Sequence, residues 1–216
     1  FAEGVTEENP LFANLFDEKK EAFAFCGKFD GKDYAVWAPD VSYNPVMGKY
    51  VMYFCTSGSY VKSSICMAVA DEAKGPYTYV GAILHSGFDA QTVEKTNVED
   101  VLGEGADISR YLKKNGHYNN LAWPNCIDPN TVKDREGRLW LVYGSWSGGI
   151  FLIELDVETG LPIHPKQDVK NQVDPYFGKK LLGGGHKSIE GPYILYDPQA
   201  DYYYLFVSFG WLARDG

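Results

Sequence analysis

Three acidic residues, Asp40, Asp128 and Glu190, each stand at the start of a run that reads as a β-hairpin. Carboxylates gathered in one cleft can hydrolyse a glycosidic bond, one protonating the leaving oxygen and another activating water. An Asp ahead of a strand also caps turns, and Asp128-Pro129 is a common turn dipeptide. The recurrence of an acid in three similar units is what favours a shared site over three separate caps.

The elements that must position these acids follow from patterning. In residues 125–150, Thr131 and Val132 are β-branched, residues 134–137 carry turn chemistry, and residues 139–143 are apolar and aromatic. Residues 37–58 repeat the design around a turn at 44–48, and residues 189–210 around a turn at 197–201. Repeated antiparallel units predict an all-β fold with propeller blades, whose first strands line a central channel. The first blade is expected over 37–84, with strands at 39–43, 49–55, 64–70 and 77–84. A lead-in (1–36) precedes it, holding a strand in AFAFC and a tight turn at Asp30-Gly31. A polar insertion (85–120) follows, with a helical candidate at 108–114, and is placed over one face where it could wall a cleft. A second blade (121–165), a loop-rich connection (166–187) and a partial blade (188–216) complete the division.

The composition bounds the function. The 216 residues suffice for one sizeable core, and 15% aromatics with 23 Gly suit an all-β chain that also presents stacking surfaces. A net charge of −9 without any basic run argues against nucleic acid or an anionic membrane as partner. No apolar run approaches the roughly 20 residues of a spanning helix. The chain opens on Phe1 rather than Met, so an upstream segment is expected to have been removed or left out. Cys26, Cys55, Cys66 and Cys126 follow no metal-ligand spacing. Four buried free thiols are the favoured reading; the alternative is a Cys55–Cys66 pair between neighbouring strands.

WAPDV (37–41), NCIDPNTV (125–132), GSWSGGI (144–150) and SIEGPYI (188–194) resemble the motifs of glycoside hydrolase family 43, within it most closely those of endo-α-1,5-L-arabinanases. The four occur in the family's order, and the resemblance runs from about residue 35 to the end. It implies a five-bladed β-propeller, inverting hydrolysis of α-1,5-linked L-arabinan from plant cell walls, and a secreted or periplasmic location. By motif position Glu190 is the general acid, and Asp128 orients it and favours its protonated form. Asn125, Ser145, Trp146 and Ser147 match sugar-contacting positions, and Gly58 matches a close-approach glycine in the cleft. Trp37 offers a stacking face, or alternatively a core ring. Asp40 has no catalytic counterpart and is read as structural.

There are departures from the family pattern. The family's general base is an Asp, usually followed by Pro, near the start of the first blade; Asp17, Asp30 and Asp33 lack that setting. The expectation is therefore of blades incomplete at both ends, a 216-residue portion inactive by itself, and open edges that invite association. A central metal, commonly calcium, is implied by the family, but its His belongs to a segment beyond this chain. His85, His117 and His164 lie elsewhere, and His186 could line the cleft. Cys126 replaces the Ala usual in NAIDP. Two alternatives stay open: a carbohydrate-binding propeller without a base, and a β-xylosidase or α-L-arabinofuranosidase of the same family.

Overall fold

Residues 22–211 are described by a computed structural model. Their regular structure is antiparallel strand apart from two five-residue helices and short 3-10 turns. The first sheet forms from consecutive strands, β1 (Ala35–Asn44), β2 (Lys49–Ser57), β3 (Ser63–Ala70) and β4 (Thr78–Ser86), in that order. β1 leaves every second position exposed, whereas β3, SSICMAVA, is buried at all but one position. That difference separates a strand with one covered face from one covered on both. The Asn44 carboxamide closes the first turn by accepting the N–H groups of Val46 (3.0 Å) and Met47 (3.2 Å).

The second sheet runs β5 (Asn130–Lys133), β6 (Leu139–Tyr143), β7 (Ile150–Leu155), β10 (Gly178–Leu182) and β9 (Val173–Asp174), with β8 (Pro162–Ile163) also beside β7. Residues 166–187 are thus not only a connection. They supply the fourth strand, which the lysine pair in GKKLL conceals as a solvated stretch; Lys179 and Lys180 lie opposite Leu152 and Phe151 of β7. The third sheet is the hairpin β11 (Ile189–Asp197) and β12 (Tyr202–Phe209).

Other local expectations change. AFAFC is helix α1 (Ala22–Cys26), not a strand. Its alternation suits either state at that length, and the helix sends Phe23 and Phe25 into two different apolar clusters. The turn at Asp30-Gly31 is present, closed by a bridge between Phe29 and Asp33. The helical candidate at 108–114 is one 3-10 turn, Ser109–Tyr111, while an unforeseen α2 (Val98–Leu102) precedes it. The insertion is anchored rather than loose: Phe88, Val98, Tyr111 and Tyr118 join Tyr53, Leu141, Phe151 and Phe177 in the main core. No helix among the described residues is long and apolar enough to cross a membrane, which leaves strand-built spans unaddressed.

All four cysteines are buried and none is in a disulfide. The β2–β3 register explains why Cys55 and Cys66 do not pair. Cys55 lies opposite Ile65, and Cys66 opposite Phe54, so the two thiols point to opposite faces of the sheet.

The three sheets meet along their first strands. The Asp40 carboxylate accepts hydrogen bonds from Asn130 Nδ2 (3.1 Å), Thr131 N (2.9 Å) and Thr131 Oγ1 (2.7 Å). Asn130 Oδ1 in turn accepts the Ile194 N–H at 3.3 Å. Asp40 is therefore a clasp between β1 and β5, as its structural reading expects. Asp40→Ala should destabilise the protein by about 2–4 kcal/mol, since it leaves the Asn130 Nδ2 and a partly buried amide without their acceptor. Denaturant unfolding checks this, and an unchanged midpoint would show that the clasp contributes nothing.

Candidate active site

Each first strand carries the same local device, within it or just ahead of it. Ala38 (φ 48°), Asp128 (φ 53°) and Gly191 (φ 61°) have left-handed backbone conformations, and each is followed by proline. In β1 and β11 the pairing register slips at this point, between Trp37 and Asp40 and between Glu190 and Tyr193. A bulge of this kind re-aims the side chains around it. Aligning the three devices corrects the reading of three equivalent acids. Ala38, Asp128 and Gly191 correspond, so Asp40 falls two places after the Asp128 position and Glu190 one place before it. Asp128 also lies outside its strand, which begins at Asn130.

The offset brings Asp128 and Glu190 together. The Gly191 N–H donates to Asp128 Oδ2 at 3.2 Å, and Ser145 Oγ donates to Glu190 Oε2 at 3.4 Å. Burial pushes the Asp128 carboxyl up to about 6; the Gly191 hydrogen bond opposes that rise and the Glu190 charge adds to it. Asp128 and Glu190 thus interact electrostatically, with their donors supplied by the surrounding backbone and by Ser145.

The loop carrying Ser145 is held in an unfavourable conformation. Trp146 (φ 47°) and Ser147 (φ 30°) are left-handed, as is His186 (φ 61°) across from them. With Asp128, these make four of the eight non-glycine residues with positive φ among the described residues. Such conformations cost on the order of 1–3 kcal/mol each and persist only where surroundings over-determine them. Here Trp146 N donates to Ile189 O (2.7 Å), His186 N to Ser147 O (2.9 Å) and Gly148 N to Trp123 O (2.8 Å). A Cβ on Gly149 would lie 2.1 Å from Leu182 O, so the loop can seat against β10 only with glycine there.

The motif residues divide into groups. Ser145 and Trp146 stand beside Glu190. Ser147 is buried, and its hydroxyl has no hydrogen-bond partner within the described residues. Asn125 is also buried, donating to Tyr60 O (3.0 Å) while its Oδ1 accepts from Ser86 Oγ (3.3 Å). Trp37 is 38% exposed, which sets aside the core alternative, and its indole N–H donates to Ser57 Oγ at 3.2 Å. Gly58 is a close-approach glycine, but the approach is to protein: a Cβ there would lie 1.8 Å from the Cys26 carbonyl oxygen. Three exposed or half-exposed rings escaped the motif reading. Phe29 packs edge-on against both Trp37 (6.2 Å) and Tyr60 (5.3 Å), and Trp211 against Trp146 (4.8 Å). Tyr60 is a solitary aromatic in a polar segment and Trp211 follows the glycine just after β12, and neither lies in a motif.

Asp17 lies outside the described residues. Asp30 and Asp33 are exposed in their turn, and Asp40 is committed to Thr131, so none joins the pair. Among the described residues no group of three His, Cys, Asp or Glu side chains is arranged to hold a metal ion. The described groups bonded to Asp128 and Glu190 are the Gly191 N–H and the Ser145 hydroxyl, which do not make up a calcium-binding set. A cavity of about 630 Å³ opens between the second and third sheets, lined by Arg138, Trp140, Leu182, Ile194, Tyr203 and Leu205. It holds neither carboxylate, so it is an inter-sheet gap and not the reaction site.

With this geometry in hand, residues 107–215 match the sequence profile of the glycosyl hydrolases family 43, and the chain belongs to that family. It is 38% identical over 213 residues to extracellular endo-alpha-(1->5)-L-arabinanase 2 of Bacillus subtilis, covering 98% of this chain and 38% of that protein. It is 40% identical over 212 residues to the extracellular endo-alpha-(1->5)-L-arabinanase of Thermotoga petrophila, covering 97% and 38%. The crystal structure of endo-1,5-alpha-L-arabinanase from Thermotoga petrophila superposes with a TM-score of 0.69 at 37% identity, over 98% of this chain and 40% of that one. The chain thus spans about two fifths of the length of these relatives.

Proposed function

We propose that the full-length protein is an inverting glycosidase that cleaves α-1,5-linked L-arabinan outside the cell. The observation that carries this is the Asp128–Glu190 pair, set on adjacent first strands and electrostatically coupled across the Gly191 N–H. Glu190 gives its proton to the glycosidic oxygen as the C–O bond breaks. Asp128, coupled to Glu190 across the Gly191 N–H, holds the acid in position before reaction. Water attacks the anomeric carbon from the opposite face and loses its proton to a base that is assigned to none of the described carboxylates. Trp37 and Trp146 offer ring faces to the sugar chain, and Ser145 orients the acid. The names of the relatives, extracellular arabinanases, support both the substrate and a secreted location.

The scaffold we infer is a five-bladed β-propeller. Its support is the meeting of β1, β5 and β11 through Asp40 and Asn130, with β2, β3 and β4 following β1 in the first sheet and β6, β7 and β10 following β5 in the second. On this reading one blade spans 37–84, the next 121–182 including β10, and a third starts at 188, with 85–120 inserted between the first two.

Linear α-1,5-arabinan incubated with the full-length protein, followed by proton NMR, should release oligosaccharides whose new reducing ends first appear as the β-anomer. Retained α configuration would rule out inversion. Binding without any cleavage would favour the carbohydrate-binding propeller, and cleavage restricted to β-xylosides would move the specificity within the family.

A further inference from the structure

We propose that Trp211, together with Trp146 and His186, forms a ring-stacking platform that takes one sugar unit of a neutral polysaccharide beside the Glu190 carboxyl group. The proposal rests on the glycosidase reading and names a substrate contact that the motifs do not contain.

Three separate segments converge here through the backbone. Gly210 N donates to Ser188 O (3.0 Å), Trp146 N to Ile189 O (2.7 Å), and His186 N to Ser147 O (2.9 Å). Residues 188–190 are thus flanked by segments that each carry one aromatic side chain. The rings themselves meet: Trp146 lies 4.8 Å from Trp211 at 77° and 5.3 Å from His186 at 53°. Trp211 nevertheless stays 59% exposed, and His186 is exposed too. Among the described residues, the nearly orthogonal meeting of Trp211 with Trp146 leaves an apolar face of Trp211 uncovered.

The chemistry of that surface selects its ligand. A furanose or pyranose ring presents C–H groups on one face and hydroxyls around its rim, so it can cover an indole while its hydroxyls remain hydrated or bonded to polar neighbours. Trp146 and His186, whose rings lie 5.3 Å apart, both carry a left-handed backbone at a conformational cost, as expected of a surface held ready for a ligand. Because the general acid protonates the oxygen of the departing sugar, a ring bound beside Glu190 is one the acid must reach.

The test uses the full-length protein. In a Glu190→Gln background, which turns over too slowly to consume the ligand during a titration, binding of linear arabinohexaose is measured by calorimetry with and without Trp211→Ala. In the active background, kcat and KM are measured on the same oligosaccharide and on an aryl arabinoside bearing a single sugar. Trp211→Ala should weaken hexaose binding about tenfold and raise its KM similarly, with kcat nearly unchanged. Trp211→Phe should restore most of the affinity, which guards against a variant that merely misfolds. Hexaose binding indifferent to Trp211→Ala would overturn the platform alone. A Glu190→Gln protein that binds no arabino-oligosaccharide at all would overturn the glycosidase reading and the platform's ligand with it.

Discussion

Glu190→Ala in the full-length protein is expected to lower cleavage of linear α-1,5-arabinan by about 10²- to 10⁴-fold, the usual contribution of general-acid assistance. An aryl arabinoside with an activated leaving group should lose far less, because its oxygen departs without needing a proton. The contrast between substrates carries the argument more than the size of either loss. Among the described residues, Ser145 Oγ at 3.4 Å makes the sole hydrogen bond at the Glu190 carboxylate, so the substitution removes a proton donor without dismantling a network there. An equal loss on both substrates would mean that Glu190 serves binding or folding, and the acid would have to be sought elsewhere.

Asp128→Asn should separate stability from activity in opposite directions. The Asp128 carboxyl is raised from 3.8 to about 6, so between those two values the folded protein holds a proton that the unfolded chain has released. Its contribution to stability therefore falls as pH rises through this window, and the full penalty is carried above pH 6. A shift of that size corresponds to at most about 3 kcal/mol, and partial solvent access reduces it to about 1–2 kcal/mol. Asn keeps an acceptor for the Gly191 N–H but carries no charge. The variant should melt higher than the parent at pH 7, lose that advantage below pH 4, and hydrolyse arabinan more slowly throughout. Thermal unfolding across pH 3.5–7.5 reads the first two outcomes. A variant less stable than the parent at pH 7 would show that Asp128 is a satisfied structural carboxylate instead.

Much of the architecture was legible because apolar and aromatic runs bounded by turn residues, such as Lys49–Ser57 and Tyr202–Phe209, read as strands. What failed did so where short-range pattern competes with tertiary context. AFAFC satisfies both a strand and one turn of helix, and only the two clusters awaiting Phe23 and Phe25 decide between them. GKKLL looks solvated until β7 is placed beside it. At the site, the pairing of Asp128 with Glu190 was readable from the motifs, yet the supposed equivalence of the three acids was an error of register. A bulge adds a residue to one strand without leaving a mark in composition, so counting along the chain could not reveal that Ala38, not Asp40, stands where Asp128 does. Gly58 shows the same limit: a glycine required for close approach does not announce what approaches it.

The amide of Asn130 has an orientation, and that orientation acts as an address. Its nitrogen end meets the Asp40 carboxylate of one neighbouring strand, and its oxygen end meets the Ile194 N–H of the other. The two neighbours cannot be exchanged, because a carboxylate has no proton to offer the oxygen and a peptide N–H has no lone pair for the nitrogen. One side chain thereby encodes which strand lies to its left and which to its right. Conversion of that single amide to an acid would erase the distinction, leaving one correct contact and placing two carboxylates face to face on the other.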